Sequence, residues 1–305
     1  IRELEGIFAF SVNVLSALFG GLGNILVCFT VYFSPRLHKT WCYFICSLSV
    51  ADLLVNLVVQ PMEAILTLSR MTGVCQAIIR DAFRLAAYIT CGASLMNLAF
   101  MSVERLLAIS WPLSERQMLT RKKMFAILFV IWGIPCVLGI TGHVAGRSTR
   151  LSSILILIGL AGCYGVILTS YGILLLRARA HFKVSNRVLS IIQPHENENK
   201  QRATPTPLSK DRVFMKRNAM VKKRQESEKR AARTIGVVIG VFTLSWVPYG
   251  YVLVSDLEQK VNSFYIWAVT LGMTNSAVNP VIYFFSSKEF RENSKRTLRS
   301  LLKMS

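Results

Sequence analysis

Residues 98–113 read LAFMSVERLLAISWPL and close an apolar stretch that begins at Cys75 and runs to Ser110. As one helix, residues 75–110 measure about 54 Å, well past the roughly 30 Å hydrocarbon core of a bilayer, so the helix must tilt or project beyond it. Glu104 and Arg105 then stand near one mouth of a membrane helix. Ionisable side chains are costly in such a place, and they are read as functional groups with partners. The plainer reading is that Arg105 only snorkels to the lipid headgroups.

Outward from this stretch, the composition sets the frame. The chain has 305 residues, is 52% hydrophobic and has a mean hydropathy of +0.44. That is too apolar for an ordinary soluble domain and points to the membrane class. A net charge of +20 can signal nucleic acid, but here the basic residues gather in alternate gaps between apolar stretches. Of the 36 Lys and Arg, 2 lie in 34–40, 4 in 111–123, 16 in 177–233 and 6 in 286–305, and Arg105 joins them. This is the positive-inside pattern, which puts those segments in the cytoplasm and the N-terminus outside. No nucleic-acid partner is expected, whereas basic runs such as Lys222-Lys223-Arg224 suit anionic membrane lipid.

Seven apolar stretches predict spans at about 7–33, 41–68, 75–110, 124–142, 151–176, 227–257 and 261–285. The whole of 1–305 reads as a single domain. Residues 181–226 are polar, basic and interrupted by Pro194, Pro205 and Pro207, which predicts a largely disordered loop with helical extensions at its ends. Residues 286–304 place Phe290, Leu298, Leu301 and Leu302 among six basic residues, the pattern of an amphipathic helix on a membrane surface. The fold class is therefore an all-α membrane protein, a seven-transmembrane helix bundle with an amphipathic C-terminal helix. Six of the seven cysteines fall in or beside apolar stretches and only Cys75 lies near the outer mouth, so no structural disulfide is expected. No cleavable signal peptide is evident, and the chain starts without Met, so a trimmed N-terminus is expected.

Polar groups inside the spans mark the candidate sites. Asn24 sits beside Gly20, Gly21 and Gly23, which let helices approach closely. Asp52 is the deepest acid; burying it costs roughly 2.5–3.5 kcal/mol on insertion scales, so it must be paired, protonated or bound to a cation. The plain alternative is a protonated carboxyl bonded to Asn24. Pro61 is expected to kink the outer part of the second span, and Pro248 to pivot the sixth. In the seventh, Asn275, Ser276, Asn279 and Pro280 weaken the helix and leave polar groups that need partners. Near the outer mouth, Arg80 and Arg84 share a helix face. They can hold an anionic ligand head or simply pair with Glu63 and Asp81.

Taken together, Gly-Asn24, Leu-Ser-Val-Ala-Asp52, Glu104-Arg105, Trp132, Tyr171, Ser-Trp246-Val-Pro248 and Asn279-Pro280-Val-Ile-Tyr283, one motif per span, resemble the rhodopsin-like (class A) G protein-coupled receptors over nearly the whole chain. The resemblance implies a plasma-membrane receptor, not an enzyme, that binds an extracellular ligand and promotes nucleotide exchange on a heterotrimeric G protein, with arrestin and a receptor kinase as further partners. It implies a coupling and activation switch at Glu104, Arg105, Tyr171, Glu228, Asn279, Pro280 and Tyr283. Phe242, Trp246 and Pro248 would be the toggle and pivot. A sodium site would be formed by Asp52, Ser94, Asn275 and Ser276, with no other cofactor. Ligand contacts would come from Glu63, Arg84, Ala87, Cys91, Trp246, Tyr249 and Met273. Glu228, 18 residues before Trp246, matches the acidic partner of Arg105.

The departures narrow the ligand. Glu104 stands for the family's usual aspartate and Leu106 for its tyrosine; Arg80 replaces the bridging cysteine and Cys163 the fifth-helix proline. The last two resemble the melanocortin and lysophospholipid-type branch, although Asn279-Pro280 does not. Ala87 occupies the position of the amine-pairing aspartate and Met273 that of the retinal-binding lysine, so amine and retinal ligands are disfavoured, leaving a peptide, a lipid or another small molecule. The alternatives weighed are a scaffold or decoy receptor that does not couple and, further off, a transporter. The chain shows no inverted repeat or charge-lined pore for a transporter. Its four histidines lie at or beyond the bilayer edges, which offers no buried metal for an enzyme.

Overall fold

The computed structural model describes residues 3–37, 40–110, 120–144, 158–174, 176–177, 208–255 and 262–304. α1 spans Glu3–Phe33 and α2 spans Thr40–Thr72. α3 is Ala77–Ser110 and α4 is Arg121–Val144. α5 is Ile158–Leu174, α6 Leu208–Val254, α7 Ser263–Ser286 and α8 Lys288–Met304. Among the described residues, five helices are long and apolar enough to cross a membrane: α1, α2, α3, α4 and the Lys229–Leu253 part of α6. α5 is apolar but shorter as described, because the expected start of that span, 151–157, lies outside the described residues. α7 has 24 residues but concentrates Thr270, Thr274, Asn275, Ser276 and Asn279 in its middle, which lowers its hydropathy.

α3 is the central helix, packed against α2, α4 and α6, while α1 packs against α2 and α7, and α6 against α7. The apolar core forms two clusters. One, toward Arg105, holds Phe44, Leu98, Met101, Ile131, Ile235 and Tyr283. The other, toward Arg84, holds Phe83, Val252, Tyr265, Ile266 and Val269. Trp246 packs against both. Large apolar side chains on the outside, such as Leu18 and Leu22 on α1, Phe125 and Phe129 on α4 and Leu244 and Val247 on α6, face where lipid would lie.

The contact of α1 with α7 shows how sequence dictates packing. Pro280 has no N–H, so the Ser276 carbonyl four residues back loses its helical partner. Asn24 Nδ2 donates to that carbonyl at 3.0 Å and to its own Gly20 carbonyl at 2.9 Å. Neighbouring Gly23 makes this approach feasible, because a Cβ there would come within 2.9 Å of the Pro280 ring. The bond of Asn24 to the Asp52 carboxyl that the plain alternative called for is therefore not formed; Asn279 takes that place.

Two features differ from expectation and a third extends it. The stretch 208–226 is helical and continuous with α6, a long version of the helical extension expected at that end of the loop; 181–207 lies outside the described residues. Between Leu208 and Glu228 there is neither Gly nor Pro, and four Lys, three Arg and two Met are among its residues. Once the membrane part supplies the nucleus, such residues add turns without a second nucleation cost. In α2 the disturbance precedes Pro61: Val55–Val59 is a π-helical turn in which the Gln60 N–H reaches back to the Val55 carbonyl, an insertion of the kind that bends helices. Finally, the C-terminal helix starts at Lys288 instead of residue 286. Ser287 is extended (φ −118°, ψ 108°) and its Oγ accepts the Phe290 N–H at 3.2 Å, a side-chain N-cap that ends α7 and opens α8. Phe290 then packs edge-on against Tyr283, and Ser294 meets Thr30 of α1 at 3.2 Å.

Candidate functional site

At one end of α3, Arg105 is buried at 1% exposure and Glu104 at 2%. This rules out snorkelling as the account of Arg105. Its guanidinium makes a two-pronged ion pair with Glu104, Nε to Oε2 at 2.5 Å and Nη2 to Oε1, the geometry that favours Arg for buried pairs. The guanidinium also lies over the Trp41 ring, 5.7 Å from its centroid. Glu228 is on the α6 backbone, but its side chain lies outside the described residues. Tyr171 on α5 donates its hydroxyl to the Ala232 carbonyl of α6 at 3.1 Å. Tyr283 is buried and its hydroxyl has no hydrogen bond, so the two tyrosines are not joined here.

In the middle of the bundle, Asp52 is 1% exposed. It accepts from Asn279 Nδ2 at 2.7 Å and from the Ser276 hydroxyl. Ser94 Oγ, Asn275 Oδ1 and Asn279 Oδ1 are buried and have no hydrogen-bond partner among the described residues. One carboxylate with neutral hydroxyl and amide oxygens is the donor set of a hard cation, and such an ion would satisfy oxygens that burial otherwise leaves unpaired. Among the described residues there is no group of three His, Cys, Asp or Glu suited to a transition metal.

Further along α2, Asn56 and Gln60 follow Asp52 at four-residue steps and Glu63 comes next; all are buried. Gln60 donates to Ser16 at 2.6 Å, and Asn13 donates to Thr270 at 3.0 Å. Glu63 pairs with Arg70 of its own helix at 2.6 Å, not with Arg80 or Arg84, because seven residues are two turns and put both on one face. Arg70 in turn lies over Tyr265, 5.7 Å from the ring centroid.

Toward the Arg84 end a small cavity of about 40 Å³ is lined by Phe83, Arg84, Ala87, Tyr88, Trp246, Tyr249, Tyr265, Val269 and Met273. Five of the seven expected ligand contacts meet there. The other two do not: Glu63 is held in its pair with Arg70, and Cys91 packs into the neighbouring apolar cluster. Phe83, Tyr88, Tyr265 and Val269 were not anticipated, since an apolar or aromatic residue on a helix gives no sign of which neighbour it will face. Trp246 stacks with Phe242 (6.0 Å) and, edge-on, with Tyr249 (5.7 Å). Gly272 leaves room for its ring, which stands 3.2 Å from where a Cβ would be. Pro248 lies inside α6 two residues on.

The geometry thus joins a half-closed pocket, a polar centre and a buried ion pair along one central helix. The chain matches the model of the family described as "7 transmembrane receptor (rhodopsin family)" over residues 23–153 and 143–283. It belongs to that family. Among its relatives are the alpha-1A adrenergic receptors of Bos taurus (27% identical, 92% of this chain and 66% of the relative) and of Homo sapiens (27%, 92% and 66%). That of Oryzias latipes is also similar (27%, 93% and 64%). The chain spans about two thirds of the length of these relatives. This member of the rhodopsin family is a multi-pass protein of the plasma membrane.

Proposed function

We propose that this receptor binds an extracellular ligand between α3, α6 and α7 and promotes GDP release from a heterotrimeric G protein at the opposite end of the bundle. The observation that carries this reading is the position of two sites on α3. Arg84 lines the pocket and Arg105 forms the buried pair, 21 residues apart. At 1.5 Å per residue that is about 30 Å, the thickness of the hydrocarbon core. Trp246 touches the pocket and both core clusters, which gives the two ends a shared packed element.

The gathering of Lys and Arg toward the Arg105 end supports a cytoplasmic C-terminus and an extracellular N-terminus. Arrestin and a receptor kinase would meet the same cytoplasmic end. The pocket is aromatic and apolar, and among the described residues Arg84 is the charged one that lines it and no acid does. A ligand with an anionic head and an apolar body, from the peptide, lipid or small-molecule classes, suits that lining. The relatives are named adrenergic, but with Ala87 in the pocket a cationic amine would meet Arg84 rather than a carboxylate.

The test uses receptor in nanodiscs, purified G proteins of each class and an agonist drawn from such libraries. Arg105→Ala should abolish agonist-stimulated nucleotide exchange while leaving agonist affinity within about threefold, or roughly 0.7 kcal/mol. Full exchange in Arg105→Ala would overturn the coupling role.

A further inference from the structure

Trp41 enters no expectation drawn from the sequence, yet it stands where three parts of the receptor meet. It is the second residue of α2 and is 8% exposed. Its ring lies under the Arg105 guanidinium. It also lines a cavity of about 190 Å³ together with Arg230, Ala231 and Thr234 of α6 and with Ser287 and Lys288 where α7 passes into α8. Glu104, an ion partner of Arg105, is its neighbour on α3, so that pair lies within one helix. Trp41 ties the guanidinium to a different one. A buried cation over an indole face gains more than an exposed one, because little water competes.

We propose that Trp41 is a positioning residue for coupling: its ring clamps the Arg105 guanidinium at rest and keeps it out of the cavity bounded by α2, α6 and the α7–α8 junction. This rests on the G protein reading given above and deepens it. To extend into the cavity, where an incoming partner would meet it, Arg105 must leave the indole. The strength of that contact therefore sets how often the receptor opens without ligand, since a contact made only in one state shifts the balance by its own worth.

The experiment compares Trp41→Ala, Trp41→Leu and Trp41→Phe in the full chain in nanodiscs, without ligand. Two measurements are made. One is basal nucleotide exchange on a panel of purified G proteins. The other, independent of any G protein, is the distance between spin labels at Lys229→Cys and Glu292→Cys, both exposed, in a Cys75→Ser background. The clamp predicts that Trp41→Ala and Trp41→Leu lengthen the label distance and raise basal exchange about three- to tenfold, while Trp41→Phe, which keeps an aromatic face, stays near wild type. Leu fills the apolar space without a π face, so wild-type behaviour of Trp41→Leu would reduce Trp41 to packing and overturn the proposal. An unchanged label distance in both Ala and Leu variants would also overturn it. If the distance lengthens while no G protein responds to any variant, the clamp stands and the coupling reading falls.

Discussion

Asn24 and Pro280 act as a matched pair across two helices. Hydrogen bonds between membrane helices average only about 0.6 kcal/mol, because the separated helices find other partners. Here the acceptor is a carbonyl that a proline has already orphaned, so losing Asn24 leaves a buried group unpaired, which costs about 1–3 kcal/mol. We predict that Asn24→Leu lowers the melting temperature of the detergent-solubilised receptor clearly more than Asn13→Leu does. Asn13 bonds to the Thr270 hydroxyl, which can turn to a carbonyl of its own helix. Equal shifts would show that the proline carbonyl finds another donor. At Asp52 the question is what joins Asn279 and Ser276 around the carboxylate. If sodium occupies the site, it favours the compact resting bundle and should weaken agonist binding. Asp52→Asn removes the one charge that holds it. Agonist affinity should fall as sodium is added to wild type and be indifferent to it in Asp52→Asn; the same sodium dependence in both would remove the ion from the account.

Among the elements, α6 carries the conformational argument. It runs unbroken from Leu208 to Val254 with Pro248 inside it, so an outward swing about the proline would be transmitted along a rigid lever to the end that borders the Trp41 cavity. Tyr171 holds this lever by its Ala232 carbonyl. The resemblance assigns Glu228 to a pair with Arg105, and an ion pair that water can replace is worth about 0–1 kcal/mol. Glu228→Ala should therefore raise basal exchange at most about fivefold, which fluorescence-based exchange assays resolve at matched expression. The Trp41 contact and a Glu228 pair act on the same guanidinium, so the double variant should exceed either single one without being their product. Unchanged basal exchange in Glu228→Ala would leave the indole as the holding group.

For the whole molecule, the charge asymmetry predicts an orientation that can be tested directly. An epitope added before Ile1 should stain intact cells, and one added after Ser305 should stain only permeabilised cells. The reverse pattern would place the Arg84 pocket in the cytoplasm and undo the assignment of both ends. Linkage adds a second demand. If the pocket and the Arg105 end bias one equilibrium, a G protein bound at one must tighten agonist binding at the other by the same factor that agonist tightens the G protein.

By itself, the sequence marked the apolar stretches, their order and the place of each polar residue along them. Those follow from local signals: runs of apolar residues long enough to cross a bilayer, basic gaps on alternate sides, and prolines and amides at set positions along each helix. It also marked Asp52, Arg105 and Trp246, because a charge or a large indole in such a place has few structural excuses. Partner choice was a different matter. That Glu63 pairs with Arg70, that Asn24 answers Pro280 rather than Asp52, and that Arg105 rests on Trp41 depend on helix rotation and separation, and these are set by side chains on two helices at once. A tryptophan at the start of a membrane helix is ordinarily an interface anchor, so nothing local distinguished Trp41. The length of the α6 extension through 208–226 was equally hidden, since a polar, basic stretch shows that its ends can be helical but not how many turns grow on the nucleus that the adjoining membrane helix supplies.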